Sequence, residues 1–336
     1  MAPASPPGRV GPSALGPHLL GPQREGTCDP MGEARRHSGS VGVGGQGQGV
    51  PPIPSDHAAG QPPAGWVVCG VDGSQHAADA SWVAARAAAR LGLGLQLVRA
   101  FDWPTGGIPG LPAGDLGRVV ARRSALGELF RLVDSVAAVH PATAAAGALT
   151  DGTALEVLTA ATATAALTVV GAQGQSAPGG PRAGSVALGI TRTTLCPVLV
   201  HRAAVSAAGE LGGVAVSVDG GPATARLLDV AARSAGRRGD LVVVDDSPSD
   251  LVAPDSWAAV GEALLALRAA HPDLRITRRR HRGLPGSMLV ELSVSVSLIV
   301  VGRALESTRP HLSARVGAVL RRGTCSTLVV PLDRHV

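Results

Sequence analysis

The stretch that decides the fold runs Gly171-Ala-Gln-Gly174-Gln-Ser-Ala-Pro-Gly-Gly-Pro-Arg-Ala-Gly184-Ser185-Val186. Two residues separate the first two numbered glycines, nine separate Gly174 from Gly184, and a hydroxyl residue follows at once. An apolar run at 166–170 predicts a buried strand before it, and 186–195 predicts a short helix behind it. Glycines let a backbone approach an anion and take positive φ angles, and a helix N-terminus offers free N–H groups. The arrangement of strand, glycine loop and helix therefore predicts a phosphate-binding site.

Composition excludes several classes of protein. The chain has 336 residues and a net charge of +5, which is modest for this length and argues against a dedicated nucleic-acid binder. Every basic residue is arginine, with no lysine in the sequence. A Walker A loop, a protein kinase and a pyridoxal phosphate enzyme each need a lysine, so none of these chemistries is available.

The cysteines suit a reducing compartment, and the hydropathy pattern does not predict a membrane span. Cys28, Cys69, Cys196 and Cys325 lie far apart and form no CxxC pair, which argues against a disulfide framework and a zinc site. No apolar run approaches the ~18 residues that a membrane span needs. We therefore expect a cytoplasmic protein without a membrane span. Cys196 and Cys325 each precede the last predicted strand of a repeat, and we expect them to be buried structural thiols.

Strands and helices alternate after a tail of different composition. Residues 1–64 are rich in Gly, Pro and Ser and predict a disordered tail. Strands are expected at 66–71, 95–101, 144–149, 166–170 and 197–201, with helices between them. This alternation favours a parallel, doubly wound α/β sheet.

The pattern then repeats. Gly213–Val218 followed by Asp219-Gly220 echoes the first strand and its turn, and Ser297–Gly302 echoes the strand before the glycine loop. An internal duplication explains this best. The sequence predicts one domain at 65–203 and a second at 211–333, each a Rossmann-like, five-stranded parallel sheet of order 3-2-1-4-5 flanked by helices.

The predicted strand order brings the chemistry together. In a doubly wound sheet, ligands lie at the carboxyl ends of strands where the strand order reverses. The first strand ends at Asp72 and the fourth at Gly171, and order 3-2-1-4-5 makes these ends adjacent. Asp72 could accept hydrogen bonds from a ribose or an adenine, while the N–H groups of Gly184, Ser185 and Val186 would meet the phosphates.

On these residues the chain resembles the universal stress protein family in its tandem two-domain form, over about 66–332. That family's nucleotide signature is Gly, two residues, Gly, nine residues, Gly, then Ser or Thr, which this stretch matches fully. The resemblance assigns a nucleotide-binding role to Asp72, Ala100, Val170, Gly171, Gly174, Gly184, Ser185 and Val186. It also implies an adenine nucleotide alpha hydrolase-like fold.

The function that this resemblance implies is regulatory. We expect the first domain to bind ATP, with Mg²⁺ or Mn²⁺ on the phosphates left open, and to act in a stress response through a protein partner. The second domain would complete a pseudo-dimer in which the last strands of the two repeats pair, and a homodimer is a further alternative. No catalytic residue is expected. Two rival hypotheses stay open: a slow ATPase or nucleotidyl transferase on the same fold, and an interaction scaffold without a ligand.

The second repeat departs from the signature. Gly302 is followed three positions later by Leu305, and nine residues further stand Arg315 and Val316 instead of Gly and Ser. We expect this second pocket to be empty or altered, with Ser313 as the start of its helix. The third strand of this repeat carries a cluster of arginines, which is typical of an edge strand.

Overall fold

In the computed structural model of the chain, the described residues include ten strands that form one sheet. The structure describes residues 65–104, 115–174, 183–203, 212–237, 239–245, 254–281, 283–304 and 312–332. The predicted tail lies outside these residues. Below, residues 65–203 are the first half and residues 212–332 the second half.

Strands and helices alternate through the first half. Its elements are β1 (Val67–Gly70), α1 (Gln75–Leu91), β2 (Leu95–Phe101), α2 (Asp115–Val139), β3 (Ala145–Asp151), α3 (Ala154–Ala161), β4 (Leu167–Gly171), α4 (Ser185–Thr193) and β5 (Val198–His201). The helix behind the glycine loop thus begins at Ser185, one residue earlier than predicted, because Gly184 is its N-cap.

The second half repeats this alternation. Its elements are β6 (Gly213–Val218), α5 (Thr224–Ala235), β7 (Asp240–Asp245), α6 (Pro254–Ala270), β8 (Arg275–Arg280), α7 (Ser287–Leu292), β9 (Leu298–Ala304), α8 (Ala314–Arg322) and β10 (Ser326–Leu332). No described helix has both the length and the apolar character needed to cross a membrane.

The sheet has the strand order β3-β2-β1-β4-β5-β10-β9-β6-β7-β8. Each half therefore has its strands in the order 3-2-1-4-5, and the described pairs within each half are parallel. The two halves meet where β5 pairs antiparallel with β10, Val198–Val200 against Thr327–Val329. The expected pairing of the last strands is confirmed, and it joins the two expected sheets into one mixed sheet.

Local sequence explains why these elements form. In β6 every residue is buried, as expected for a parallel strand covered on both faces. Helix α1 turns a stripe of alanines toward the sheet, including Ala77, Ala80, Ala84 and Ala88. Gly92 ends that helix in the left-handed conformation, with φ of 66°.

The hydrophobic core differs between the two faces of the sheet. On one face, buried side chains of both halves form a single cluster, with Val198 and Ile190 of the first half beside Val329 and Leu320 of the second. On the other face each half has a cluster of its own, under α1 and α2 in the first and under α5 and α6 in the second. The shared cluster lies under α3, α4, α7 and α8.

The arginine-rich strand lies where it was expected. β8 is at one end of the sheet and pairs with β7 alone among the described strands. Arg275, Arg279 and Arg280 are exposed on it, and Arg275 forms an ion pair with Asp240 at 2.7 Å. Charged side chains of this kind oppose pairing with a further strand from another molecule.

Candidate functional site

A cavity of about 650 Å³ opens at the carboxyl ends of β1 and β4. These strands are neighbours, and the chain order reverses there, which is where ligands bind in doubly wound sheets. The cavity is lined by all eight residues singled out from the sequence: Asp72, Ala100, Val170, Gly171, Gly174, Gly184, Ser185 and Val186. The structure therefore brings the predicted site residues together around one space.

Asp72 lines the cavity and lies two residues after β1. Its Oδ1 accepts the Ser74 N–H at 2.9 Å, and the Ser74 hydroxyl accepts the Ala77 N–H at 3.2 Å as the N-cap of α1. The start of α1 thus fixes the carboxylate. A Cβ on Gly174 would lie 2.6 Å from Asp72 Oδ2, so the carboxylate occupies the space that any larger residue would need.

Gly171 also lies close to a neighbouring element. A Cβ there would lie 3.0 Å from the carbonyl oxygen of His76 in α1. The glycines with positive φ among the described residues do not include Gly171, Gly174 or Gly184. The expectation that positive φ angles explain the signature glycines is therefore wrong. Gly171 and Gly174 serve close packing of the backbone against α1 and Asp72.

Gly184 differs from the other two glycines because the protein leaves room for a side chain. The nearest atom to a Cβ there is the Ala172 carbonyl oxygen at 3.6 Å, which is ordinary contact, and its φ of −69° suits any residue. As N-cap of α4 it supplies no side-chain oxygen to the first turn. The glycine is thus not required by the described part of the fold, and it leaves space at the helix N-terminus.

The N–H groups around Gly184 have different uses. The Gly184 N–H donates to the Ala172 carbonyl oxygen at 2.7 Å in this structure, and its expected bond to a phosphate stays a prediction. Ser185 and Val186 are the first two residues of α4, where helical N–H groups have no partner within the helix. Their N–H groups and the exposed Ser185 hydroxyl remain the candidates for binding an anion.

An apolar wall, largely missed by the sequence analysis, completes the cavity. Val98, Ala154 and Leu158 line it together with the predicted Ala100 and Val170. The other lining residues not predicted are Gly70, Val71, Ala77, Ala172, Gln173, Ala183 and Ala187. A Cβ on Gly70 would lie 2.8 Å from a Leu158 methyl carbon, so a small residue at the end of β1 was the signal for this contact.

Residues 66–202 match the model of the Universal stress protein family. The matched segment coincides with the half that holds the cavity and covers less than half of the chain. Among curated proteins, none matches the chain.

Solved structures of universal stress proteins share the fold. One from Archaeoglobus fulgidus is 13% identical, with a TM-score of 0.57 over 79% of this chain and 97% of the other. A protein from Pseudomonas aeruginosa assigned to the same family is 15% identical, with a TM-score of 0.50 over 80% and 93%. At these identities the likeness shows the α/β fold alone. A universal stress protein in complex with cAMP is 25% identical over 41% of this chain and 96% of its own, with a TM-score of 0.30.

The helix of the second half that corresponds to α4 is α8, and its N-terminus is capped by a side chain. Ser313 is the N-cap of α8, and its hydroxyl accepts the Val316 N–H at 3.3 Å. Because the two helices are followed by the matching Cys196 and Cys325, Ser313 is the equivalent of Gly184, and the loop is two residues shorter. The sequence-based alignment of Arg315 and Val316 with Gly184 and Ser185 is therefore wrong.

Arg315 instead takes the place of Val186. A guanidinium nitrogen of Arg315 lies 3.9 Å from a carboxylate oxygen of Asp219, which is the equivalent of Asp72. In the second half a cation of the chain itself thus faces the aspartate. Leu305, which was expected to crowd this pocket, lies outside the described residues.

The two matched cysteines are buried, as expected. Burial raises the pKa of the Cys325 thiol to about 12 and also raises the pKa of Cys196. Both thiols therefore stay protonated near neutral pH, and protonated, buried thiols are poor nucleophiles.

Proposed function

We propose that this chain is a regulatory protein of the universal stress protein family in its tandem form, and that its first half binds ATP. The domains would span 65–203 and 211–333, in line with the repeated strand order and with the family match to 66–202. The protein would act in the cytoplasm as a pseudo-dimer within one chain, or as a homodimer of such chains, and pass its nucleotide state to a protein partner.

The observation that carries this proposal is the open N-terminus of α4 at the cavity. Among the described helices, α1, α3 and α8 have a Ser or Thr hydroxyl as N-cap, whereas α4, α5 and α7 begin without a side-chain cap. Of the three without a cap, α4 is the one whose first residues line the cavity. A helix N-terminus with free N–H groups attracts phosphate through both hydrogen bonds and the helix dipole. The missing cap is what an anion-binding helix needs.

The rest of the cavity suits a nucleoside. Asp72 in its lining would serve as a hydrogen-bond acceptor for ribose hydroxyls, and its carboxylate is held by the Ser74 N–H. Val98, Ala100 and Val170 provide an apolar surface for a flat base. A volume of about 650 Å³ is in the range of sites for ligands of nucleotide size.

A divalent cation would depend on the nucleotide. The described residues contain no group of three or more His, Cys, Asp or Glu side chains that could hold a metal ion. Asp72 is the one carboxylate among the described lining residues. Mg²⁺ or Mn²⁺ would therefore be held chiefly by the phosphate oxygens.

The lining favours a binding role over catalysis. Among the described lining residues, Asp72 is the only titratable side chain. General acid–base catalysis uses a positioned group with a pKa suited to proton transfer, usually with a second polar group to orient it. A site with a single anchored carboxylate fits reversible binding, in which occupancy shifts the population of a surface that a partner binds.

Gly184→Asp tests the proposal. Aspartate is a favoured N-cap residue, and a Cβ at this position would make only ordinary contacts with the described residues, so the fold should keep its stability. Its carboxylate would accept the first-turn N–H groups of α4 and repel phosphate. We expect ATP binding, measured by titration calorimetry, to weaken by more than about tenfold, which corresponds to about 1.4 kcal/mol.

Ser313→Asp is the matched control. It places the same carboxylate at the equivalent N-cap of the second half, where the Ser313 hydroxyl already caps the helix. ATP affinity should stay unchanged. Circular dichroism of both variants, and a comparison of ATP with ADP, AMP and cAMP, complete the experiment. Tight binding of ATP to the Gly184→Asp variant, or no binding to the unmodified chain, would contradict the proposal.

A further inference from the structure

Two buried arginines cross between the halves and end on the last turns of helices α4 and α8. Arg303, near the end of β9, donates from Nη2 to the carbonyl oxygen of Thr194 at 2.5 Å. Thr194 is the C-cap of α4, the helix whose N-terminus faces the cavity. Arg303 is 5% exposed, so its charge is held almost entirely inside the protein.

Arg202 makes the reverse contact, from the first half to the second. This residue follows β5, and its Nη2 donates to the Leu320 carbonyl oxygen at 2.5 Å while its Nε donates to the Gly323 carbonyl oxygen at 3.1 Å. Both acceptors belong to the C-terminal end of α8. Burial lowers the pKa of Arg202 and of Arg303, which shows that the charged form loses hydration. Helix C-terminal carbonyls offset part of that loss because they form the negative end of the helix dipole.

The same carbonyl oxygen of Leu320 also contacts the nucleotide site of the first half. It accepts the backbone N–H of Ala183 at 3.2 Å. Ala183 lines the cavity and directly precedes Gly184, whose own N–H is held by Ala172. Residues 183–184 are therefore held on one side by Ala172, which follows β4 in their own half, and on the other side by Leu320 of α8 in the second half.

From these contacts we infer that the second half acts as a positioning element for the anion end of the first half's cavity. Arg303 holds the C-terminal end of α4. At the N-terminal end of α4, Ala183 is supported by the C-terminal end of α8, which Arg202 holds. ATP affinity should therefore depend on residues that do not contact ATP. This inference rests on the proposed function, since it concerns the same site.

Arg303→Met and Arg202→Met test the inference in the full-length chain. Methionine keeps an unbranched apolar stem in the buried space and removes the guanidinium donors. Because coupling between sites is typically worth a factor of five or more, we expect each variant to raise the Kd for ATP about fivefold or more. Arg315→Met is the matched control, because Arg315 forms its ion pair with Asp219 inside the second half, and it should leave the Kd unchanged.

Hydrogen exchange on the unmodified chain gives a second measurement that does not depend on how the variants fold. Coupling is reciprocal, so ATP bound in the first half must stabilise the contact with the second. We expect ATP to slow amide exchange at 319–324, the end of α8, and to do so less in Arg202→Met. If ATP binds but protects only the first half, or if both methionine variants bind ATP with the Kd of the unmodified chain, the inference is overturned. If the unmodified chain binds no ATP, it is the proposed function that fails.

Discussion

At the scale of single residues, the three signature glycines have different physical reasons. A Cβ at Gly171 or Gly174 would be crowded, because the His76 carbonyl oxygen and the Asp72 carboxylate would lie 3.0 Å and 2.6 Å from it. Close packing within the protein is thus a reason for these two glycines. At Gly184 a Cβ would make only ordinary contacts with the described residues, so the case for a ligand depends on this position more than on the other two.

Glu128 on α2 gives a residue-scale prediction about pH. Its hydrogen bond with Arg99, at 2.6 Å, lowers the pKa of the Glu128 carboxyl. A lowered pKa in the folded state means that the pair stabilises the protein above the carboxyl's unfolded pKa and is lost as the pH falls through the folded one. The Glu128 side chain is 42% exposed, so Glu128→Gln should lower the free energy of unfolding at pH 7 by only about 0.5 kcal/mol.

Urea denaturation at several pH values checks this prediction. The difference between Glu128→Gln and the unmodified chain should shrink as the pH falls below 4.5, the ordinary pKa of this carboxyl, toward its lower folded value. Asp134→Asn, which removes an exposed carboxylate from the same helix, should change stability less at pH 7. A loss of stability that stays constant down to strongly acid pH would show that the ion pair with Arg99 is not its cause.

At the scale of elements, the helix N-termini divide into capped and uncapped. Helix α3 has a full capping box, in which the Thr153 hydroxyl accepts the Glu156 N–H and the Glu156 carboxylate accepts the Thr153 N–H. Helices α1 and α8 have serine caps. Each cap hydroxyl accepts one N–H of its own first turn. The helices α4, α5 and α7 have no side-chain cap, and of these α4 is the one that opens on the cavity, where the N–H groups of Ser185 and Val186 need an external acceptor or water.

Thr153→Ala tests the capping box. It removes the hydroxyl from a short helix whose Ala154 and Leu158 line the cavity. Loss of an N-cap hydroxyl costs about 1 kcal/mol, and we expect a loss of that size in urea denaturation. Ser135→Ala is the control, because this exposed serine lies inside α2 and its hydroxyl bonds to the Arg131 carbonyl oxygen. That variant should be neutral or slightly stabilising, and an equal loss in the two variants would rule out capping as the cause.

At the scale of the molecule, the halves share a sheet and a core. The antiparallel contact of β5 with β10 continues the sheet, and one hydrophobic cluster contains buried residues of both halves. Separate unfolding of either half would expose this cluster, in which Val198, Val329 and Leu320 are fully buried. Such exposure is costly, at about 25 cal/mol for each Å² of apolar surface.

We therefore expect heating of the full-length chain to give a single cooperative transition for the two halves. In differential scanning calorimetry, the calorimetric and van't Hoff enthalpies should agree. Saturating ATP should move that whole transition upward, although it binds to one half, because a ligand of the folded state stabilises the entire cooperative unit. Two resolved transitions, of which ATP moved only one, would contradict the shared core as the source of cooperativity.

The resemblance to a known family was needed to assign Ala100 and Val170 to the site. The amino-acid sequence by itself was enough to predict the alternation of strands and helices, their repetition, and a site made of Asp72 and the glycine loop, which are among the residues that line the cavity. These features depend on patterns over short distances: apolar runs, the turn at Asp72, and glycine spacing between a strand and a helix. The apolar wall was harder to predict because residues such as Leu158 and Ala154 come from a helix that only packing brings to β1.

Only the tertiary structure decided how the halves act on one another. The bond of Ala183 to Leu320 and that of Arg303 to Thr194 join residues more than a hundred positions apart. Neither contact can be predicted from the local sequence, because a backbone N–H or an arginine side chain has the same hydrogen-bonding chemistry wherever it occurs in the chain. The antiparallel register of β5 against β10 aligns these partners, and that register results from burying both halves' side chains in one core.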